Sequence, residues 1–142
     1  MFAISAVATE RLVVDTGVAL AASGSSEARR HLARFRLTAP PLLWSEVHSA
    51  IREAVWRGQI TSATSQELLT AFGELGVSRE RPAALYTTAV AIAEELGWAK
   101  TYDAEYLALA KLRRAKVVTT DDRLLRGAAR TGLVTDVASL LG

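Results

Sequence analysis

Cysteine is absent from the 142 residues, which excludes disulfides, cysteine-based zinc sites and thiol catalysis together. The absence fits a reducing compartment. Histidine is nearly absent too: His31 and His48 are the only two, so a multi-histidine metal site is excluded. Lysine occurs only at Lys100, Lys111 and Lys116, and the remaining basic residues are arginine. Arginine suits bidentate phosphate contacts, but it also accompanies a GC-rich genome, and the sequence does not choose between the two. The formal net charge is only +2, so no strong bulk field advertises nucleic acid. No apolar run reaches the roughly 18 residues that span a bilayer. A cytoplasmic protein with no membrane partner is therefore expected. Repeats, linkers and low-complexity segments are also lacking.

What is present suffices for a real core. Hydrophobic residues make up 50% of the chain and charged residues 23%, values that exclude disorder as the main state. The length is that of one domain, residues 1–142. Phe2 to Ala8 is a short apolar run, and Ala6-Val7-Ala8 has the small residues of a cleavage site. No basic residue precedes it, so residues 1–10 read as a flexible extension before the first strand rather than a signal peptide.

Leu12-Val13-Val14-Asp15-Thr16 organises the rest. A continuous β-branched run reads as a strand buried on both faces, here about Arg11 to Val14. Further strands are expected at Thr38–Leu43, Trp98–Thr101, Lys116–Thr119 and Leu133–Val134. Between them the 3.6-residue period predicts helices. One restarts at Val18 and ends near Ala22. A second follows a Ser26 cap, from about Glu27 to Phe35. A third runs from Glu46 to about Arg57 after a Ser45 cap, and a fourth from Thr61 to near Gly76. The next opens at Ser78 or Arg81 with Pro82 in its first turn and ends at Gly97. The last three are Ala104–Arg114, Asp122–Arg130 and a final turn at Val137–Leu141. Short apolar strands alternating with helices predict an α/β fold: a central four- to five-stranded parallel sheet flanked by helices on both faces.

In such a sheet all strand C-termini share one edge. Asp15, Glu46, Asp103 and Asp121 each follow one of the first four expected strands, so they are expected at one crevice. Each also lies at a helix start, where a carboxylate caps free N–H groups, and any one alone reads first as a cap. Together they repel, and one must take a proton unless a cation sits among them. Hard oxygen donors without sulfur or imidazole select Mg²⁺ or Mn²⁺. Such a site can position a water and clamp the charge of a phosphodiester under hydrolysis.

Four blocks in order resemble those of a PIN domain: Val13-Val14-Asp15-Thr16, Ser45-Glu46-Val47, Tyr102-Asp103-Ala104 and Thr119-Thr120-Asp121-Asp122-Arg123-Leu124. The order, spacing and length resemble the VapC-type toxin ribonucleases, from about Leu12 to Leu141. The resemblance implies a Mg²⁺- or Mn²⁺-dependent endoribonuclease with Asp15, Glu46, Asp103 and Asp121 as its catalytic acids. It implies Asp15, Asp103 and Asp121 as metal ligands, and Glu46 as holder of a water or a second metal. Thr119 and Thr16 would orient the site. It further implies a homodimer, a VapB-type antitoxin encoded alongside, and tRNA, rRNA or mRNA as substrate. Two departures stand out. Asp122 adds an acid beside Asp121 and reads as a helix cap before it reads as a supporting ligand. Gly17 stands where the family often has Ser or Asn.

Other residues carry less. Arg52, Arg57, Arg123 and Arg126 could hold RNA phosphates, although solvated helix faces are the plainer reading. Trp44, Trp56, Trp98 and Tyr106 could stack bases, against a plainer role in core or interface. His48 reads as a helix-face residue. A phosphatase that needs a second Asp two residues after Asp15 finds Gly17 there. A phosphotransfer receiver finds no paired acids after its first strand and no lysine after Lys116. A housekeeping PIN nuclease and a non-catalytic PIN-like binding protein are the remaining alternatives, and a chain that had lost catalysis would be expected to have lost an acid.

Overall fold

The computed structural model describes residues 10–141. The expected extension at residues 1–10 lies outside them except for Glu10, whose carbonyl accepts the Arg36 N–H at 2.9 Å.

Strand β1 (Arg11–Val14) occupies the middle of a five-stranded sheet. Successive strand side chains point to opposite faces, and Leu12, Val13 and Val14 are all buried, so both faces are covered. β2 (Arg36–Ala39), β3 (Ser78–Arg79), β4 (Lys116–Thr119) and β5 (Val134–Asp136) complete it in the order β3-β2-β1-β4-β5. Every pairing is parallel, with Leu12 beside Leu37 and Val13 beside Val117. The strand order reverses between β1 and β4, the place where open α/β sheets leave a crevice at their C-terminal edge.

The helices are α1 (Thr16–Ser23), α2 (Ser26–Leu32), α3 (Leu42–Trp56), α4 (Ser62–Glu74), α5 (Leu85–Leu96), α6 (Tyr102–Arg113), α7 (Asp122–Gly127) and α8 (Val137–Leu141). α6 is buried without interruption from Ala104 to Ala110, because it lies against β1 and β4 on one side and α5 on the other. The buried apolar residues form one cluster.

The structure departs from the expected elements at several points. Trp98–Thr101 is not a strand: Gly97 closes α5 in the left-handed region (φ 72°), and a turn leads straight into α6. The edge strand is instead Ser78–Arg79, held to β2 through Thr38 opposite Ser78. That segment was expected to open a helix, but Pro82 precedes the helix rather than entering it, and its carbonyl accepts the Leu85 N–H at 2.9 Å. Pro40-Pro41 ends the second strand at Ala39 rather than lying within it. α3 consequently starts at Leu42, Ser45 caps nothing, and Glu46 sits inside the helix. Ser25, not Ser26, caps α2. α7 stops at Gly127 and gives way to a 3-10 turn at Ala129–Thr131 before left-handed Gly132.

Candidate active site

The sheet's C-terminal edge collects the acids by two routes. Asp15 and Asp121 arrive on the loops after β1 and β4, on the two sides of the switch point. Glu46 arrives from within α3 and Asp103 from the first turn of α6, so these two are delivered by helices rather than by strand ends. Glu46, Asp103 and Asp121 line one open cleft of about 680 Å³.

Thr119 ties the two loops together. Its buried hydroxyl donates to Asp15 Oδ2 and accepts the Asp121 N–H at 3.0 Å. Asp15 Oδ1 accepts the Val18 N–H at 2.9 Å and so caps α1. Asp121 Oδ1 accepts the Arg123 N–H at 2.9 Å and caps α7. The cap is thus Asp121, and Asp122, expected in that role, is the exposed first residue of the helix.

Glu46 is held differently. Tyr106 donates its phenolic hydroxyl to Glu46 Oε1 at 2.5 Å, and Thr16 Oγ1 donates to the same oxygen at 3.1 Å. The two hydroxyls are 3.2 Å apart. Burial and the Glu46 contact push the Tyr106 phenol far above its usual range, so it stays protonated as a donor. Tyr106 is 3% exposed, which removes it as a base-stacking candidate and makes it part of the site. Its spacing of three residues after Asp103, the same face of one helix, was the available signal. Glu105 is a further acid that the sequence reading did not single out. It is buried, and burial together with the Glu46 charge raises its carboxyl. Nothing in the one-dimensional pattern separates it from a solvated helix residue.

The electrostatics are those of like charges in one place. Burial raises the Asp15 carboxyl, and the charges of Asp121 and Asp103 raise it further against the opposing Thr119 and Val18 hydrogen bonds. Burial likewise raises Asp103, followed by Glu46 and Asp121, with only Arg123 opposing. The Asp122 charge is not among those that shift either residue. A divalent cation relieves this repulsion without protonating an acid. The donor set fits a hard one, being carboxylates alone, since His48 turns Nδ1 to the Trp44 carbonyl at 2.7 Å and stacks edge-on to Phe72. Among the described residues no three or more acid or imidazole groups stand close enough together to hold a metal ion between them. Mg²⁺ does not demand such a group, because it keeps several waters and takes one or two carboxylates.

The other candidates separate cleanly. Arg123 and Trp98 line the cleft. Arg57 pairs with Glu53 at 2.5 Å on the exposed side of α3, and Trp56 is exposed there as well. Trp44 lies under the Arg79 guanidinium and against Phe72. No helix among the described residues is long and apolar enough to cross a membrane.

A family model described as PIN domain matches residues 12–130. Ribonuclease VapC9 of Mycobacterium tuberculosis is 34% identical over 114 residues, covering 80% of this chain and 87% of that one. VapC ribonuclease Mb0985 of Mycobacterium bovis matches to the same extent. Among solved structures, PAE2754 from Pyrobaculum aerophilum superposes with a TM-score of 0.72 at 24% identity, over 97% of this chain and 91% of that chain. A toxin–antitoxin complex from Klebsiella pneumoniae gives a TM-score of 0.62 at 22% identity, over 87% of this chain and 95% of that chain. These two likenesses are likenesses of fold.

Proposed function

The chain belongs to the PIN-domain family and groups with the VapC-type ribonucleases, and from that premise we propose that it is a metal-dependent endoribonuclease, the toxin of a type II toxin–antitoxin pair. The observation that carries the reading is the acid cluster: Glu46, Asp103 and Asp121 line one cleft, Thr119 ties Asp15 to the Asp121 loop beside it, and burial followed by neighbouring acids raises both Asp15 and Asp103. Acids left in such company call for a cation.

Asp15, Asp103 and Asp121 are the residues that would hold Mg²⁺ or Mn²⁺. When bound, the ion would neutralise charge on the scissile phosphate and ease deprotonation of a water. The chain supplies the positioning. Thr119 fixes Asp15 and the Asp121 backbone relative to each other. Tyr106 and Thr16 both donate to Glu46 Oε1, which leaves Oε2 to orient a water and take its proton. Arg123 brings a positive charge to the rim for the substrate phosphate. Asp122 supports from the first turn of α7.

The cognate partner in this reading is a VapB-type antitoxin, and the working form is a cytoplasmic homodimer. A small upstream reading frame with a DNA-binding N-terminus and an arginine-containing tail would distinguish the toxin from a housekeeping PIN nuclease. The decisive experiment incubates purified protein with total cellular RNA and Mg²⁺ or Mn²⁺, beside EDTA and Asp103→Asn controls. Discrete fragments are expected only with metal and the wild-type chain. Equal cleavage by Asp103→Asn would overturn the assignment.

A further inference from the structure

The carboxylates deal with a phosphodiester and say nothing of the bases. The same cleft has a second wall that does. It comes from the turn between α5 and α6, which carries Trp98 and Lys100, and from Tyr102 at the start of α6, with Arg123 entering from α7. Neither cation is in an ion pair among the described residues. Tyr102 is 56% exposed, and Trp98 is half-buried.

The half-burial of Trp98 has a specific cause. A Cβ built on Gly127 would stand 3.4 Å from Trp98 Cζ2 and 3.9 Å from Nε1. Gly127 is helical and does not have the positive φ that Gly58, Gly76, Gly97 and Gly132 adopt. The indole edge thus lies against α7 at Gly127 while the ring lines the cleft. Left-handed Gly97, immediately before it, turns the chain so that the ring arrives there. An anchored aromatic ring beside unpaired cations is the composition of a site for single-stranded nucleic acid.

We propose that Trp98 is a specificity-determining residue that stacks on one unpaired base of the RNA strand, with Lys100 and Arg123 holding the adjoining phosphates. The inference rests on the ribonuclease reading of the same cleft and deepens it. A base inside a duplex keeps its faces stacked and cannot meet the ring, so the ring can read only an unpaired base.

The test uses tryptophan fluorescence in the Asp103→Asn background, which keeps the strand intact. Trp44→Phe and Trp56→Phe leave Trp98 as the only indole. Hexaadenylate is expected to quench it, and an abasic ribose-phosphate strand of the same length is not. Trp98→Ala should weaken hexaadenylate binding about tenfold, equivalent to about 1.4 kcal/mol, while leaving the abasic strand within about twofold. Trp98→Phe should restore most of the difference. With the active chain, Trp98→Ala should raise KM about tenfold and leave kcat within about twofold.

Equal loss on both strands, or a Trp98→Phe variant as weak as Trp98→Ala, would reduce Trp98 to a structural role and overturn the proposal. So would failure of the unsubstituted chain to bind hexaadenylate. Quenching and binding without cleavage under either metal would keep the base subsite and sink the nuclease. Cleavage with an unchanged KM in Trp98→Ala would do the reverse.

Discussion

Two carboxylates in this fold each accept a hydrogen bond from a threonine buried in the sheet, and they end in opposite electrostatic states. Thr119 on β4 donates to Asp15, and Thr38 on β2 donates to Glu80. Both threonines are at most 1% exposed. Burial pushes both carboxyls upward. At Glu80 the Thr38 hydroxyl, the Arg113 Nε–H at 2.6 Å and the charges of Arg113 and Arg11 outweigh it, and the carboxyl sits below its ordinary value. At Asp15 the nearby charges are Asp121 and Asp103, and the carboxyl stays raised. The threonine is common to both, so the counter-charge decides. The Glu80 corner is completed within the chain and ties the segment after edge strand β3 to the end of α6. The Asp15 corner carries negative charge that, among the described residues, only Arg123 opposes, which is the state expected of a site that takes a cation.

The strongest way to break the comparison is to remove an acid from the unbalanced corner. Asp103→Asn should lower metal-dependent RNA cleavage by at least about a hundredfold, the order lost with one group that stabilises transition-state charge. The same change relieves repulsion, so in EDTA its melting temperature should equal or exceed that of the wild type. Near-saturating Mg²⁺ should stabilise the wild type by about 2.7 kcal/mol at a hundred times Kd, with little effect on the variant. Cleavage curves and calorimetric melts with and without Mg²⁺ read both effects. A variant that melts lower in EDTA would place Asp103 in the class of Glu80.

Glu80→Gln probes the balanced corner. It should leave cleavage intact and cost about 1–3 kcal/mol of stability, because it leaves Arg113 with a poorer partner. The pH dependences of the two corners have opposite signs. Asp103 has a raised pKa in the fold, so between its ordinary 3.8 and the raised value the native state binds more protons than the unfolded one. In EDTA its contribution to stability therefore declines as pH climbs from 3.8 through that raised value. Glu80 has a lowered pKa, so its contribution is present above its ordinary 4.5 and disappears as pH falls through the lowered value. The melting-temperature gain of Asp103→Asn should grow with rising pH across its window. The deficit of Glu80→Gln should shrink as the solution is acidified. Parallel shifts in the two variants would refute the contrast.

The sequence made one of these corners legible and left the other dark, for physical reasons. Asp15 and Asp121 follow β-branched runs whose strands can be read directly, so their meeting at one edge follows from parallel topology. Asp103 reaches the cleft by a different route from the one its sequence context predicts, since it arrives on the first turn of α6 and no strand precedes it. Glu46 is expected at a helix start, but Pro40 and Pro41 end the strand instead of lying within it, so α3 starts at Leu42 and Glu46 sits inside it. The two-residue strand β3 has exposed residues and no periodicity of its own, so only its pairing to β2 defines it. Glu80 and Arg113 are 33 positions apart, and nothing local to either residue signals the other.

Tyr106 offers a finer cut within the acid corner. Glu46 is held there by hydroxyls rather than by a cation, so Tyr106→Phe removes positioning without altering charge. It should cost about 1 kcal/mol of stability and lower cleavage about tenfold, part of the ~10²–10⁴ that a positioned proton acceptor supplies. KM should stay near the wild-type value. A rise in KM without loss of kcat would mean that Tyr106 shapes the cleft rather than aligning Glu46.

The smallest expected effect belongs to Gly17, where the chain departs from the family's usual Ser or Asn. A Cβ there would lie 3.7 Å from Asp15 Oδ1 and 3.7 Å from Thr120 Oγ1, which is ordinary contact. The residue sits in the first turn of α1, and its φ is not in the positive range, so neither space nor backbone demands glycine. Gly17→Ser should fold normally and shift stability by no more than about 0.5–1 kcal/mol, in the stabilising direction because the unfolded chain loses freedom. The added hydroxyl can donate near Asp15, where Thr119 and the Val18 N–H leave the carboxyl still raised, so the metal-free melting temperature should rise slightly and cleavage should change by less than about threefold. A loss of cleavage approaching that of Asp103→Asn would mean that the space beside Asp15 must stay open, and would move Gly17 from a tolerated departure into the acid corner itself.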